Sequence, residues 1–257
     1  QVYDRRPRAH DPLHALAIDW SHRFASQRQL ADDAADRFIL PALADLAAAI
    51  EATPGLSAHP LHFVGNLYLP LAVAVGVEFR SVRRFRVSWL QHGDGADTQE
   101  WGRHLPAAPS GITTRIIERA VDAGDMAVLV SVAKDVMDDV ESVLPSLPPL
   151  RAIAHLGRFP SATEAAERIT LDPGQVRDVA DRVIEAIRQV RSIYGANGTV
   201  HLFIAGPAGV ALMIGQGLNT IGRVIVYQHN DGQQPPYKQN GAQQPAYKPM
   251  VALTPSN

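Results

Sequence analysis

The chain reads as an α/β protein built from two pseudo-symmetric halves. Three observations predict this. Short apolar runs alternate with helix-period segments along most of the sequence, which favours a largely parallel sheet covered on both faces. The segment from Val200 to Leu218 has the form of a buried strand, a sharp turn at Gly206-Pro207-Ala208-Gly209, and an apolar helix. That segment has an echo about 137 to 139 positions earlier. Leu61-His62-Phe63-Val64 matches Val200-His201-Leu202-Phe203, Pro70 matches Pro207, Gly76 matches Gly215, and Gln91-His92 matches Gln228-His229. Repetition of a whole strand-helix-strand unit predicts two Rossmann-like halves in one chain, with their turns facing each other across a pseudo-twofold axis.

The elements follow in order. Residues 1–12, with the polar stretch Asp4-Arg5-Arg6-Pro7-Arg8, read as a linker, and the start at Gln1 leads us to expect a missing N-terminal domain. Leu13 to Ile50 has a helical pattern that Pro41 interrupts, and Pro54-Gly55 ends it. A strand is expected at Leu61–Asn66, then a turn at Leu67–Pro70 and an apolar helix to about Phe79. Phe85–Gln91 is a second strand, and Gly93-Asp94-Gly95 a loop. Ala96–Gly111 is polar and proline-rich and reads as loop, with Trp101 inside it. Ile112–Ala120 fits strand or helix. Met126–Val132 is a strand, a helix starts at Lys134, and Leu150–Leu156 is a strand that ends in the loop Gly157-Arg158-Phe159-Pro160.

Asp172-Pro173 opens a long helix with an N-cap and a first-turn proline. Its apolar residues Val176, Val179, Val183, Ile187 and Val190 share one face, and Gly195 closes it. After the focal unit come the strand Val224–Tyr227, a small tandem duplication at 233–238 and 243–248 that reads as a solvated loop, and a last antiparallel edge strand at Met250–Leu253. The halves are expected at about 55–145 and 150–257 of one domain running from 13 to 257.

Bulk properties exclude some functions. Over 257 residues, a hydrophobic content of 46% supplies a substantial core. A formal net charge of -2 argues against a general DNA-coating surface. The absence of cysteine rules out disulfides and thiolate metal sites. No apolar run reaches the roughly 18 residues of a membrane span, and no signal peptide is visible, so we expect a cytoplasmic protein without a membrane partner. There is no Walker loop, His-Glu-x-x-His or nucleophile elbow. Asp138, Asp139 and Glu141 spread around a helix and read as a solvated face.

The order and spacing of His201–Pro207, Gly215-Gln216-Gly217-Leu218-Asn219, Val224–Tyr227 and Tyr247-Lys248-Pro249 resemble the SAVED domain. So do Gly124-Asp125-Met126-Ala127-Val128 and the long helix after Asp172. The resemblance covers about Asp19 to Pro255. It implies two fused CARF-like halves that bind a cyclic oligonucleotide, such as cyclic GMP-AMP or another cyclic di- or trinucleotide, in bacterial antiphage signalling. It further implies self-association on ligand binding and activation of an attached effector, here the HNH-nuclease type, so that DNA is met only through the missing nuclease. No cofactor and no metal are expected. Gln228 departs from the acidic residue expected after the tyrosine of that strand.

A cyclic nucleotide needs phosphate donors, flat surfaces and base-edge readers. The turns at Asn66 to Tyr68 and at Gly206, Pro207 and Ala208 offer backbone amides and helix N-termini. Lys134 is the sharpest cation, because the chain has only three lysines and the other two lie in or beside the tail loop. A lysine pointing to water from a helix start is its alternative, and Arg158 has a similar choice. Tyr68, Trp101 and Phe159 are read as stacking candidates, with satellite core positions as their alternative. Gln91, His92 and His229 end strands and offer base-edge contacts. Trp89, His62 and His201 read as packed sheet residues. The competing function is a nucleotide-processing enzyme such as a ring nuclease, with His92 or His229 as base.

Overall fold

The computed structural model describes residues 24–26, 29–30, 34–56, 59–65, 67–92, 98–122, 124–159, 170–195, 198–230 and 246–254. The expected linker at 1–12, residues 233–238 and 243–245 of the tandem duplication, Asn66 and the side chain of His92 lie outside them, while Tyr247 and Lys248 of the second copy belong to the last strand, which starts three residues before the expected Met250.

Two βαβ units form the centre. In the first, β3 (Leu61–Phe63) leads through α2 (Leu69–Glu78) to β4 (Val87–His92), and β5 (Thr98–Gly102) returns antiparallel. In the second, β9 (Val200–Ala205) leads through α5 (Ala208–Gly217) to β10 (Val224–His229), and β11 (Tyr247–Leu253) returns antiparallel. The pairing is the same in both: parallel, then antiparallel. The first unit is a sheet of its own, in the order β3-β4-β5. The second is extended by β6 (Thr113–Glu118), β7 (Asp125–Ser131) and β8 (Leu150–Gly157) into the sheet β11-β10-β9-β7-β8-β6. The boundary between sheets thus falls between Gly102 and Thr113, upstream of the expected division near 145–150.

The helices α2 and α5 join the halves by packing on each other, and glycine makes this possible. A Cβ on Gly76 would lie 2.0 Å from the Leu212 carbonyl oxygen, and one on Gly215 would lie 2.1 Å from that of Val73. The two glycines are 139 positions apart, and so are the residues they face. Each side meets its counterpart through equivalent atoms, which is the signature of a twofold contact. The exchange continues outward: α5 packs on β4 and β5, while α2 packs on the equivalent β10 and β11. The repeat visible in the sequence is therefore a physical interface.

The long helix α4 (Pro173–Tyr194) covers the same face of the large sheet as α5. Its start is a capping box, in which the Asp172 backbone N–H donates to Gln175 Oε1 at 3.0 Å. Its end is Gly195 in the left-handed region, φ 65°. The opposite face carries the short α3 (Met137–Glu141), whose Val140 packs with Phe203, Tyr227 and Tyr247.

Several expectations are corrected. Within the stretch expected to be helical from Leu13, Phe24–Ser26 (β1) and Gln29–Leu30 (β2) pair antiparallel. Helix begins only at the alanine-rich segment from Ala34, where propensity is higher. Pro41 falls where a π-helical stretch, Ala35–Ile39, passes into α1 (Leu40–Ala52), so the helix changes character at the proline without ending there. The proline-rich stretch 96–111 hides β5, whose first residues are exposed and polar. The ambiguous 112–120 stretch resolves as β6. The helix expected at Lys134 starts at Met137. Pro207 is the N-cap of α5 rather than its first helical residue, with ψ 150°.

Candidate ligand-binding site

Strands β7, β8, β9 and β10 run parallel, so their carboxyl ends share one edge. From β7 the chain crosses to β8 on one side, and from β9 it crosses to β10 on the other. The adjacent β7 and β9 therefore flank a topological switch point, where loops part and leave a crevice. The two departing loops are pinned together at their base: the N–H groups of Val132 and Ala133 both donate to the Ala205 carbonyl, each at 2.9 Å. A Cβ on Gly206 would come within 3.3 Å of the Val132 Cβ, so a small residue suits this contact.

Beyond Gly206, Pro207 caps α5 through its carbonyl, which accepts from the Val210 N–H at 3.0 Å. Ala208 and Gly209 open the helix, and first-turn amides have no acceptor inside it. Such amides, with the helix dipole, are the chemistry that favours an anion at a helix N-terminus.

Lys134 stands at the same edge. Its Nζ donates to Asp139 Oδ2 at 2.8 Å and lies 3.2 Å from His229 Nε2, which is itself 3.1 Å from the same carboxylate oxygen. Lys134 leaves β7 and His229 ends β10. Because β9 lies between those strands, this bridge crosses the exit of β9. His229 also meets the ring of Tyr247 edge-on, with centroids 4.8 Å apart. Burial pushes the Asp139 carboxyl up, but the hydrogen bonds and charges of Lys134 and His229 outweigh it and hold the pKa below the ordinary carboxylate value.

A second polar knot lies at the ends of β7 and β8. The buried His155 Nε2 is 2.8 Å from Ser131 Oγ and 3.3 Å from Asp135 Oδ1. Burial lowers the His155 pKa, and Asp135 opposes that shift less strongly. Serine and aspartate meet the same ring nitrogen, so this is not the relay in which an acid orients a base from its other nitrogen. Ser131 Oγ also accepts the Val136 N–H at 3.2 Å, so the knot tethers the loop that carries Lys134.

A groove of about 540 Å³ lies elsewhere, between α4 and the far end of α5, where Gln216, Asn219 and Arg188 line it. Ion pairs Arg103–Asp181 and Arg182–Asp178 neutralise its other cations. We place the candidate site at the carboxyl edge because the chain topology and the charges converge there. Among the described residues, no cluster of His, Asp and Glu is arranged to hold a metal, and no helix is long and apolar enough to cross a membrane.

Residues 45–240 match the family model of SAVED, the SMODS-associated and fused to various effectors sensor domain. The chain belongs to the SAVED family. Solved structures agree at the level of fold. The chain is similar to the Acinetobacter baumannii Cap4 SAVED/CARF-domain containing receptor with the cyclic trinucleotide 2′3′3′-cAAA, at TM-score 0.63 and 16% identity, covering 87% of this chain and 46% of that one. It is similar to the same receptor with 3′3′3′-cAAA, at TM-score 0.60 and 16% identity, covering 87% and 46%. The Moraxella osloensis Cap4 receptor follows at TM-score 0.50 and 14% identity, covering 90% of this chain and 49% of that one. This SAVED chain thus spans less than half the length of the receptors it matches. A comparison with curated proteins finds no match.

Within this SAVED fold, the expected site residues separate into groups. Gly206, Pro207, Ala208, Lys134 and His229 converge on the carboxyl edge around β9. Arg158 and Phe159 lie at that edge beyond β8, but both are engaged. The Arg158 guanidinium donates to the Ser110 carbonyl through Nη2 at 2.7 Å and Nε at 3.3 Å, and Arg115 lies 3.8 Å over the Phe159 ring. Tyr68 is the N-cap of α2 and is partly buried against the core. Gln91 Oε1 accepts the indole N–H of Trp89 at 3.1 Å.

Trp101 differs most from expectation. It lies in β5, only 4% exposed, opposite Trp89. A Cβ on Gly209 would come within 2.7 Å of its ring, so the first turn of α5 lies directly on it. Trp101→Phe should therefore lower stability by about 1–2 kcal/mol, through lost packing and a lost hydrogen bond to Gln99. Urea unfolding measures this, and an unchanged midpoint would restore the loop reading.

His201 is packed as expected, whereas His62 is exposed, with Nδ1 2.7 Å from Ser88 Oγ; Asp125, the partner of His201 at 3.0 Å, carries no expectation of its own. Asp139 was read as part of a solvated face. Asp138 and Glu141 are exposed, but Asp139 is half-buried and paired. Its position five residues after a lone lysine was the available signal.

Proposed function

We propose that this SAVED domain senses a cyclic di- or trinucleotide, bound over the carboxyl edge of the large sheet. The observation that carries the reading is the convergence of the switch point, the amides that open α5, and the Lys134–His229 pair on the exit of one strand. Phosphates suit the amides and Lys134. His229 and Gln91 offer base-edge contacts, and Tyr68 offers a stacking surface. The similar Acinetobacter baumannii receptor was solved with two cyclic triadenylates, which supports a ring of that class. We assign Asn66 and His92 the matching role on the other side of the ring. On this reading, ligand promotes self-association of a longer cytoplasmic protein, and that activates an attached effector, an HNH-type nuclease.

Calorimetry against a panel of cyclic di- and trinucleotides, including cyclic GMP-AMP and both cyclic triadenylates, tests binding. At least one member should bind, and Lys134→Ala should weaken it about tenfold or more, near 1.4 kcal/mol. Absence of binding across the panel would overturn the proposal. Sedimentation with the bound member should show larger species. Chromatography of the recovered ligand should return it intact, and a linear product would replace sensing with catalysis.

A further inference from the structure

We propose that Asp139 is a built-in stand-in for a ligand phosphate, occupying the Lys134–His229 seat until the ligand displaces it. The inference rests on the sensor reading of the carboxyl edge and goes further, by naming what regulates that site.

The geometry is specific. A single carboxylate oxygen, Oδ2 of Asp139, meets both Lys134 Nζ at 2.8 Å and His229 Nε2 at 3.1 Å. A phosphate oxygen arriving over the exit of β9 would make the same two contacts, so carboxylate and phosphate compete for one place. The Lys134 side chain is 46% exposed and that of Asp139 34%, which leaves the pair accessible to solvent and to an incoming anion. An exposed lysine–carboxylate pair is weakly held, and a multiply charged ligand can outbid it.

The element that carries Asp139 can respond. The helix α3 has only five residues, too few to be stable by itself. It is tied down by Val140 in the apolar cluster beneath it and by Val136 N–H on Ser131. Displacing Asp139 removes a polar tether from a marginal element that lies against β9, β10 and β11 through Phe203, Tyr227 and Tyr247. Occupancy of the edge is thereby converted into a change on the face of the sheet opposite α5. A ligand must also overcome the internal competitor, so the apparent affinity is set partly by Asp139.

Asp139→Asn keeps the side-chain volume and removes the competing charge. Calorimetry with the two cyclic triadenylates should show the variant binding about five- to tenfold more tightly than the parent chain. The gain should vanish in the Lys134→Ala background, because the competition is for that lysine. Hydrogen exchange should rise across 135–143 when ligand is added to the parent chain, and should already be high in Asp139→Asn without it. Equal or weaker binding by Asp139→Asn, with the parent chain binding normally, would overturn this inference and leave the sensor reading standing. Binding by neither protein to any member of the cyclic di- and trinucleotide panel would overturn both. A melting temperature measured for each variant, with Asp139→Ala as a second substitution, separates loss of affinity from loss of fold.

Discussion

Gly215→Val is expected to be severely destabilising. A Cβ at that position would sit 2.1 Å from the Val73 carbonyl oxygen and 3.0 Å from the Gly76 Cα. Neither neighbour can rotate away, since both are backbone atoms of a helix whose sides are fully buried. The two helices would have to separate, which would open the core between the sheets. Overpacking usually costs about 1–3 kcal/mol. Here the obstruction is rigid and central, and we expect on the order of 4 kcal/mol, a large part of the 5–15 kcal/mol that holds a typical domain together. Gly215→Ala should lose less, because about 1 kcal/mol is returned as helix propensity. By the pseudo-twofold relation, Gly76→Ala should behave like Gly215→Ala. The double substitution should cost less than the sum, since the first already parts the helices. Urea unfolding of the four proteins checks this; near-parental midpoints would show that the crossing has slack.

That crossing was legible in the sequence, and the reason is instructive. Gly76 and Gly215 stood at matching depths in two repeated units, and only a residue without a side chain permits backbone contact there. Strands buried on both faces, such as Val200–Ala205, announced themselves as unbroken apolar runs. Other features were hidden for equally physical reasons. Strand β5 lies at the edge of a three-stranded sheet. Its first two residues are exposed and polar, so it shows no alternation, and neighbouring prolines made Trp101 look like a loop aromatic. A Gly-Pro pair before a helix fits the N-cap and the first helical position equally, and only the backbone distinguishes them. The Asp139 contact with His229 spans 90 positions, a pairing that sequence spacing cannot reveal. The candidate edge itself was half legible: which strands end in glycine or lysine is written locally, but their order in the sheet is not.

Asp125→Ala should be the most damaging change outside the helix crossing. Asp125 Oδ1 accepts the Thr199 N–H at 2.7 Å, and Oδ2 accepts from His201 Nε2 at 3.0 Å. His201 Nδ1 then accepts from the Tyr227 hydroxyl at 2.8 Å. These residues tie β7, β9 and β10 together in the larger sheet, and the His201 side chain is only 2% exposed. Removing the carboxylate strands a buried ring nitrogen and a backbone donor, which costs about 3–5 kcal/mol. The same chain of bonds has a signature in pH. Burial, assisted by the Asp125 charge, raises the Tyr227 hydroxyl to about 12 from its ordinary 10. A raised pKa means that the fold favours the protonated hydroxyl. Its contribution is complete below pH 10 and is lost as the pH climbs towards 12. The amount is about 2–3 kcal/mol. Tyr227→Phe should be less stable at neutral pH and should lack that alkaline loss, because nothing remains to ionise. Unfolding free energies measured from pH 8 to 12 for both proteins decide the matter: parallel curves would mean that Tyr227 ionises as readily in the fold as in the open chain.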